Sequence, residues 1–132
     1  MERYKHLDRS TVNICFSGRF DPVHPGHIAT IIRLTKIYKK VKIVILDYFG
    51  RRFPVAAQIA VMDELLEKYN VSIYTNSTHF AQITREEFLE FECQAYAAGN
   101  EVVLRHFEEM GIPVHFCERA YNYSSREYKR LD

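Results

Sequence analysis

Apolar and polar positions alternate along this chain in two periods. Residues 12–16 are an apolar run closed by Gly18, the pattern of a buried strand. Pro25 and Gly26 then open a stretch to about residue 40 in which Ile28, Ile31, Ile32, Thr35 and Tyr38 recur at helical spacing. Lys36, Lys39 and Lys40 crowd its last turn, where cations suit the helix dipole. Residues 41–46 (VKIVIL) predict the strongest strand, and residues 47–53 a loop carrying Arg51 and Arg52. Pro54 suits a first helical turn, and Val55, Ile59, Met62, Leu66 and Tyr69 form one stripe that ends at Asn70.

The second half repeats the alternation. Residues 71–75 (VSIYT) read as a third strand. Thr84 and Glu87 have capping-box spacing and open a helix to about Phe91. Residues 93–97 read as a short fourth strand, and Gly99-Asn100 turn the chain into a helix with Val103, Phe107 and Met110 on one face, stopped by Gly111. Residues 114–117 form a fifth strand, and Ser124 caps a short final helix. Strand–helix alternation at this spacing implies right-handed crossovers: an α/β domain, doubly wound, with a parallel sheet of about five strands and helices on both faces. Ligands of such sheets bind at the carboxyl ends of the strands, which directs attention to the loop after the first strand.

Composition narrows the function classes. The 132 residues fit a single domain, 1–132, with residues 1–11 as a short N-terminal extension. Eighteen Lys and Arg against 17 Asp and Glu leave a net charge of +1, which argues against a broad nucleic-acid surface and leaves room only for a local anion site. Cys15, Cys93 and Cys117 are scattered and odd in number, so buried thiols are expected rather than a disulfide framework or zinc ribbon. No apolar run is long enough to cross a bilayer and the N-terminus has no secretory pattern, so a cytoplasmic protein with no membrane partner is expected.

Residues 18–27 read G-R-F-D-P-V-H-P-G-H. His24 and His27 straddle a loop-to-helix junction, where the helix end carries unsatisfied N–H groups and a partial positive charge. Such an end is an anion site, and two imidazoles there can each donate to phosphate oxygens. Gly18 permits a tight turn out of the strand and Gly26 a close approach of backbone to ligand. Zinc would need a third ligand that the spacing does not supply, so no metal site is assigned.

The stretch G-x-F-D-x-x-H-x-G-H resembles the HxGH motif of the cytidylyltransferase-like nucleotidyltransferases, a superfamily that includes nicotinamide-mononucleotide adenylyltransferases and small glycerol-3-phosphate cytidylyltransferases, with a Rossmann-like fold. The resemblance implies that His24 and His27 contact the phosphates of a bound NTP and stabilise the transition state. It places Gly18, Arg19, Phe20, Asp21 and Gly26 along the nucleotide, with Asp21 alternatively capping the loop. Residues 123–129, Y-S-S-R-E-Y-K, are similar to the family's second motif, so Ser124 and Lys129 join the catalytic set and Ser125 and Arg126 the nucleotide contacts. Arg126 stands where the family usually has Thr. Gly99 and Asn100 resemble a segment flanking base and ribose, and Arg119 resembles a nearby family arginine. Arg51 and Arg52 fall where members bind the acceptor's phosphate, while Ala57-Gln58 stand where many carry a further arginine.

The implied reaction is nucleotidyl transfer from an NTP, ATP or CTP, to a phosphorylated small-molecule acceptor with release of pyrophosphate, with Mg2+ arriving on the NTP. Arg19 and Pro22 within the motif lean toward adenylyl transfer. The alternatives are a cytidylyltransferase acting on glycerol-3-phosphate or a related phosphoalcohol, and a nucleotide-binding sensor module with weak turnover. The resemblance also makes a homodimer an expectation.

Overall fold

The computed structural model describes residues 8–117. After a 3-10 turn at Arg9–Thr11, the chain runs β1 (Asn13–Gly18), α1 (Pro25–Ile37), β2 (Lys40–Leu46), α2 (Val55–Leu65), β3 (Val71–Asn76), a 3-10 turn (Phe80–Gln82), α3 (Arg85–Leu89), β4 (Ala95–Ala98), α4 (Glu101–Glu109) and β5 (Val114–Phe116). All four strand pairings are parallel, in the order β3-β2-β1-β4-β5. The sheet thus grows outward from β1 in both directions, and the switch point lies between β1 and β4.

Alternate strand residues feed two cores. Ile14, Phe16, Ile43 and Ile45 pack with Ile31 and Leu34 of α1 and Met62 of α2. Cys15, Val44, Tyr96 and Val114 pack on the other face with Phe88 of α3 and Val103, Leu104 and Phe107 of α4. The sheet is therefore buried on both sides, which is why its strands read as continuous apolar runs. Tyr96 and Phe107 stack at 3.8 Å, and Phe88 meets Phe107 edge-on at 5.0 Å. The three cysteines are buried and unbridged.

Several boundaries differ from the sequence reading. Helix α1 stops at Ile37 and α2 at Leu65, not near residues 40 and 70, because Lys39 N–H bonds to Val12 and Val41 N–H to Asn70, drawing both segments into strand register early. Ile28 and Ile32 are only partly buried, and the fully covered face of α1 is Gly26, Thr30, Ile31 and Leu34. Helix α3 closes at Leu89, and β4 starts at Ala95 rather than residue 93. There the Gln94 side chain accepts from the Asn13 backbone N–H at 2.9 Å, and regular pairing begins one residue later with Ile14 opposite Ala95. The expected final helix at Ser124 lies outside the described residues. None of the described helices is long and apolar enough to cross a membrane.

Candidate nucleotide site

The loop after β1 and the first turn of α1 are built around the two histidines. His24 is the N-cap of α1, and its Nδ1 accepts from Gly26 N–H at 3.1 Å and His27 N–H at 3.4 Å. His27 Nδ1 accepts from His24 N–H at 3.2 Å, closing a reciprocal capping box made of imidazoles instead of Ser and Glu. The two rings stack at 3.7 Å, and the Phe20 ring sits edge-on to His27 at 4.7 Å. A neutral imidazole whose Nδ1 accepts carries its proton on Nε2. The local fold therefore fixes both tautomers and leaves both histidines as Nε2–H donors.

This arrangement corrects the sequence picture of the helix mouth. Pro25 has no N–H, those of Gly26 and His27 are capped by His24 Nδ1, and that of Ile28 bonds to His24 O. The open backbone donors expected at the helix mouth are therefore already paired. Two N–H bonds into Nδ1 polarise the His24 Nε2–H. Gly26 donates its N–H to that cap. Burial and the neighbouring His24 hold His27 down at about 3, so near pH 7 it is a neutral imidazole.

Residues 18–21 take a different turn from the one glycine would give. It is Phe20 that adopts positive φ, at +48°, with its ring fully buried, while a Cβ on Gly18 would meet that ring at 3.4 Å. Gly18 makes room for the folded-back ring. Asp21, expected at the nucleotide, is buried, and its carboxylate accepts from Arg52 N–H at 3.0 Å and Phe53 N–H at 2.7 Å. It caps the loop after β2.

Arg51 is likewise placed differently from the acceptor role read for it. Its guanidinium donates to the carbonyls of Arg19, of Phe20 at 2.9 Å, of Leu46 at 3.3 Å and of Phe53 at 3.0 Å, and lies 3.9 Å from Asp21. The side chain is 10% exposed. The Arg52 side chain is exposed on the same loop. Gln58, where the resemblance led one to look for an arginine, is buried and accepts from Val23 N–H at 2.8 Å, bracing the histidine loop from α2.

Beside Arg19, which the sequence reading had named, the rim carries Tyr48, Phe49 and His79, which it passed over. Arg19 lies 4.3 Å over the Tyr48 ring, Tyr48 packs near His79 at 5.5 Å, and Phe49 beside them is 97% exposed. An aromatic pair just after the strongest strand was the available signal. Across the switch point, Asn100 N-caps α4 by accepting from Val102 N–H at 2.9 Å, and a Cβ on Gly99 would come within 3.2 Å of the Cys117 carbonyl. Both therefore have local structural reasons to be where they are. Arg119, Ser124, Ser125, Arg126 and Lys129 lie outside the described residues. A groove of about 590 Å³ between α1 and α2, with His24 and Pro25 at one end and Val61 and Leu65 further down, is apolar and runs away from the loops.

Comparison with solved structures places the architecture first. The fold is shared with a bifunctional NMN adenylyltransferase/ADP ribose pyrophosphatase of Francisella tularensis, crystallised with AMP and a manganese ion: 20% identity, 92% of this chain against 41% of that one, TM-score 0.69. A protein assigned as nicotinate-nucleotide adenylyltransferase from Vibrio parahaemolyticus matches at 14% identity, 92% of this chain and 86% of that one, TM-score 0.67. A pantoate-beta-alanine ligase from Francisella tularensis, at 12% identity, covers 95% and 67% with TM-score 0.60. The chain spans about two-fifths of the length of the bifunctional enzyme. No curated protein matches it. The sequence itself is more specific: residues 15–130 match the cytidylyltransferase-like family, and the chain belongs to that family.

Proposed function

We propose that this chain is a nucleotidyltransferase that moves a nucleoside monophosphate, AMP in preference to CMP, from an NTP to a phosphate-bearing small molecule. The observation that carries the reading is the stacked His24–His27 pair at the α1 N-terminus, with both Nδ1 atoms accepting backbone N–H bonds and both rings thereby set as Nε2–H donors. Family membership and the fold shared with part of a bifunctional NMN adenylyltransferase/ADP ribose pyrophosphatase support a nucleotidyltransferase.

In this mechanism a phosphate oxygen of the acceptor attacks the α-phosphorus, a new P–O bond forms, and the bond to the bridging oxygen breaks to release pyrophosphate. The attacking phosphate is ionised near neutral pH and needs no general base. Catalysis is then positioning and stabilisation of charge growing on the phosphoryl oxygens. His24 and His27 donate from Nε2 to those oxygens. By sequence resemblance Ser124 and Lys129 add donors, with Ser125, Arg126 and Arg119 beside them. Among the described residues no group of three or more His, Cys, Asp or Glu side chains could hold a metal, and Asp21 is engaged by backbone N–H groups. Mg2+ is read as arriving on the nucleotide substrate, held by phosphate oxygens and water. Arg52, exposed on the loop after β2, meets the acceptor's phosphate.

The test is pyrophosphate release from ATP and from CTP across phosphorylated acceptors: nicotinate and nicotinamide mononucleotides, glycerol-3-phosphate and phosphocholine. Release is expected with ATP and a mononucleotide. His27→Ala should lower turnover at least about a hundredfold, the cost of one well-placed oxyanion donor. Unchanged release in that variant removes the assignment. Tight NTP binding with no release on any acceptor favours the sensor module.

A further inference from the structure

We infer that Arg51 is a positioning residue for the nucleotide rather than a contact for the acceptor, an inference that rests on the nucleotidyltransferase reading. Position in sequence puts Arg51 in the acceptor-side loop, but its donors point backwards. The guanidinium holds the carbonyls of two successive peptides, Arg19–Phe20 and Phe20–Asp21, and reaches Leu46 at the end of β2 and Phe53 on its own loop. A trans peptide carries its N–H opposite its C=O. Fixing those two carbonyls turns the N–H groups of Phe20 and Asp21 together toward the side away from Arg51.

Consecutive N–H groups facing one way, with a left-handed residue between them, form an anion-binding concavity. Phe20 at φ +48° supplies that residue without being glycine, a strained conformation for a residue with a side chain, which must be held there. The Phe20 carbonyl bond to Arg51 and the buried Phe20 ring hold it. The grip is reciprocal, because Asp21 of the nucleotide loop accepts the backbone N–H groups of Arg52 and Phe53 in the loop after β2. Each loop thus supplies the side chain that shapes the other's backbone. Under the nucleotidyltransferase reading this concavity faces the triphosphate, since His24 already caps the N–H groups of Gly26 and His27 at the start of α1.

The experiment compares Arg51→Lys with Arg52→Ala. Lysine keeps the charge but cannot span two carbonyls with a planar fork. For Arg51→Lys, KM for the NTP should rise about tenfold or more and kcat should fall, with KM for the acceptor within about twofold. Arg52→Ala should show the opposite split. Dissociation constants for inorganic tripolyphosphate, measured by calorimetry on wild type and Arg51→Lys, separate the two layers of the argument. Wild type that binds tripolyphosphate but releases no pyrophosphate with any substrate pair sinks the enzymatic reading alone, and a tenfold weaker Arg51→Lys complex then still supports the positioning role. Unchanged tripolyphosphate affinity in Arg51→Lys, or a rise confined to acceptor KM, overturns it, as does wild type that binds no tripolyphosphate at all. Methylguanidinium added to Arg51→Ala should restore part of the lost affinity. A merely structural loss of folding would not be rescued in this way.

Discussion

His27 shows how one side chain's surroundings set its chemistry. Its ordinary value of 6.5 is pushed down to about 3 by burial and by the charge His24 can carry. The unfolded imidazole takes up a proton as pH falls through 6.5, but the folded one does not until about pH 3. Between those values the unfolded state binds more protons, so His27 costs no stability above pH 6.5 and progressively more as pH falls toward 3. From pH 7.5 to pH 5.0 this one group should lower unfolding free energy by about 2 kcal/mol. Urea unfolding at the two pH values measures it, and the difference should shrink by roughly that amount in His27→Gln. The histidines themselves were legible in the sequence because their spacing around Pro25-Gly26 is unusual. Their protonation state was not, because it depends on a ring–ring stack and on burial. Arg51 was misread for a similar reason: the carbonyls of Arg19 and Phe20 that hold it lie about thirty residues away and are brought close only when β1 and β2 pair.

At the scale of an element, α1 carries two functions on one residue, and they can be separated. His24 caps the helix through Nδ1, and under the proposed function its Nε2–H is the donor to a ligand. Asparagine is among the best N-caps, because its side-chain oxygen accepts the same N–H groups, yet it has no group in the place of Nε2–H. His24→Asn should therefore unfold within about 0.5 kcal/mol of wild type, whereas His24→Ala should lose about 1 kcal/mol. Both variants should lose pyrophosphate release about a hundredfold or more. Thermal melts read alongside turnover check the split, and a His24→Asn protein with near wild-type turnover would mean that the residue is only a cap. The helix start was legible because Pro25 sits at the first helical position, and the α3 start because Thr84 and Glu87 close the expected capping box. The ends were less so. The chain leaves α1, α2 and α3 where strand register demands it, and register is a long-range property. The α1 stripe was misassigned by a partial turn because Ile28 and Ile32 are apolar without being the residues that face the sheet; the Thr30–Ile31–Leu34 face is.

The whole molecule divides the work of the site along the sheet. Because β1 is central and the order reverses between it and β4, the loops after β1 and β4 border one crevice, and the loops after β1 and β2 border a neighbouring ledge. The alternation of periods made the doubly wound parallel sheet readable, because βαβ units are almost always right-handed, but not the strand order, which rests on long-range pairing. The balanced charge of +1 is consistent with it, because neutral imidazoles and peptide N–H groups can bind phosphate without a basic surface. The division makes a prediction that no single residue does. Val102 is 69% exposed in the first turn of α4, which follows β4, and Phe49 is 97% exposed in the loop after β2. Val102→Glu should raise the KM for the NTP several-fold by setting a carboxylate near the triphosphate, with the acceptor's KM little changed. Phe49→Ala should do the reverse, since it leaves the crevice intact and removes apolar surface from the ledge. Both residues are solvent-facing, so both variants should melt close to wild type and the kinetics can be read directly. If both substitutions moved the same KM, nucleotide and acceptor would share one side of β1, and the switch-point assignment of the two halves would fall.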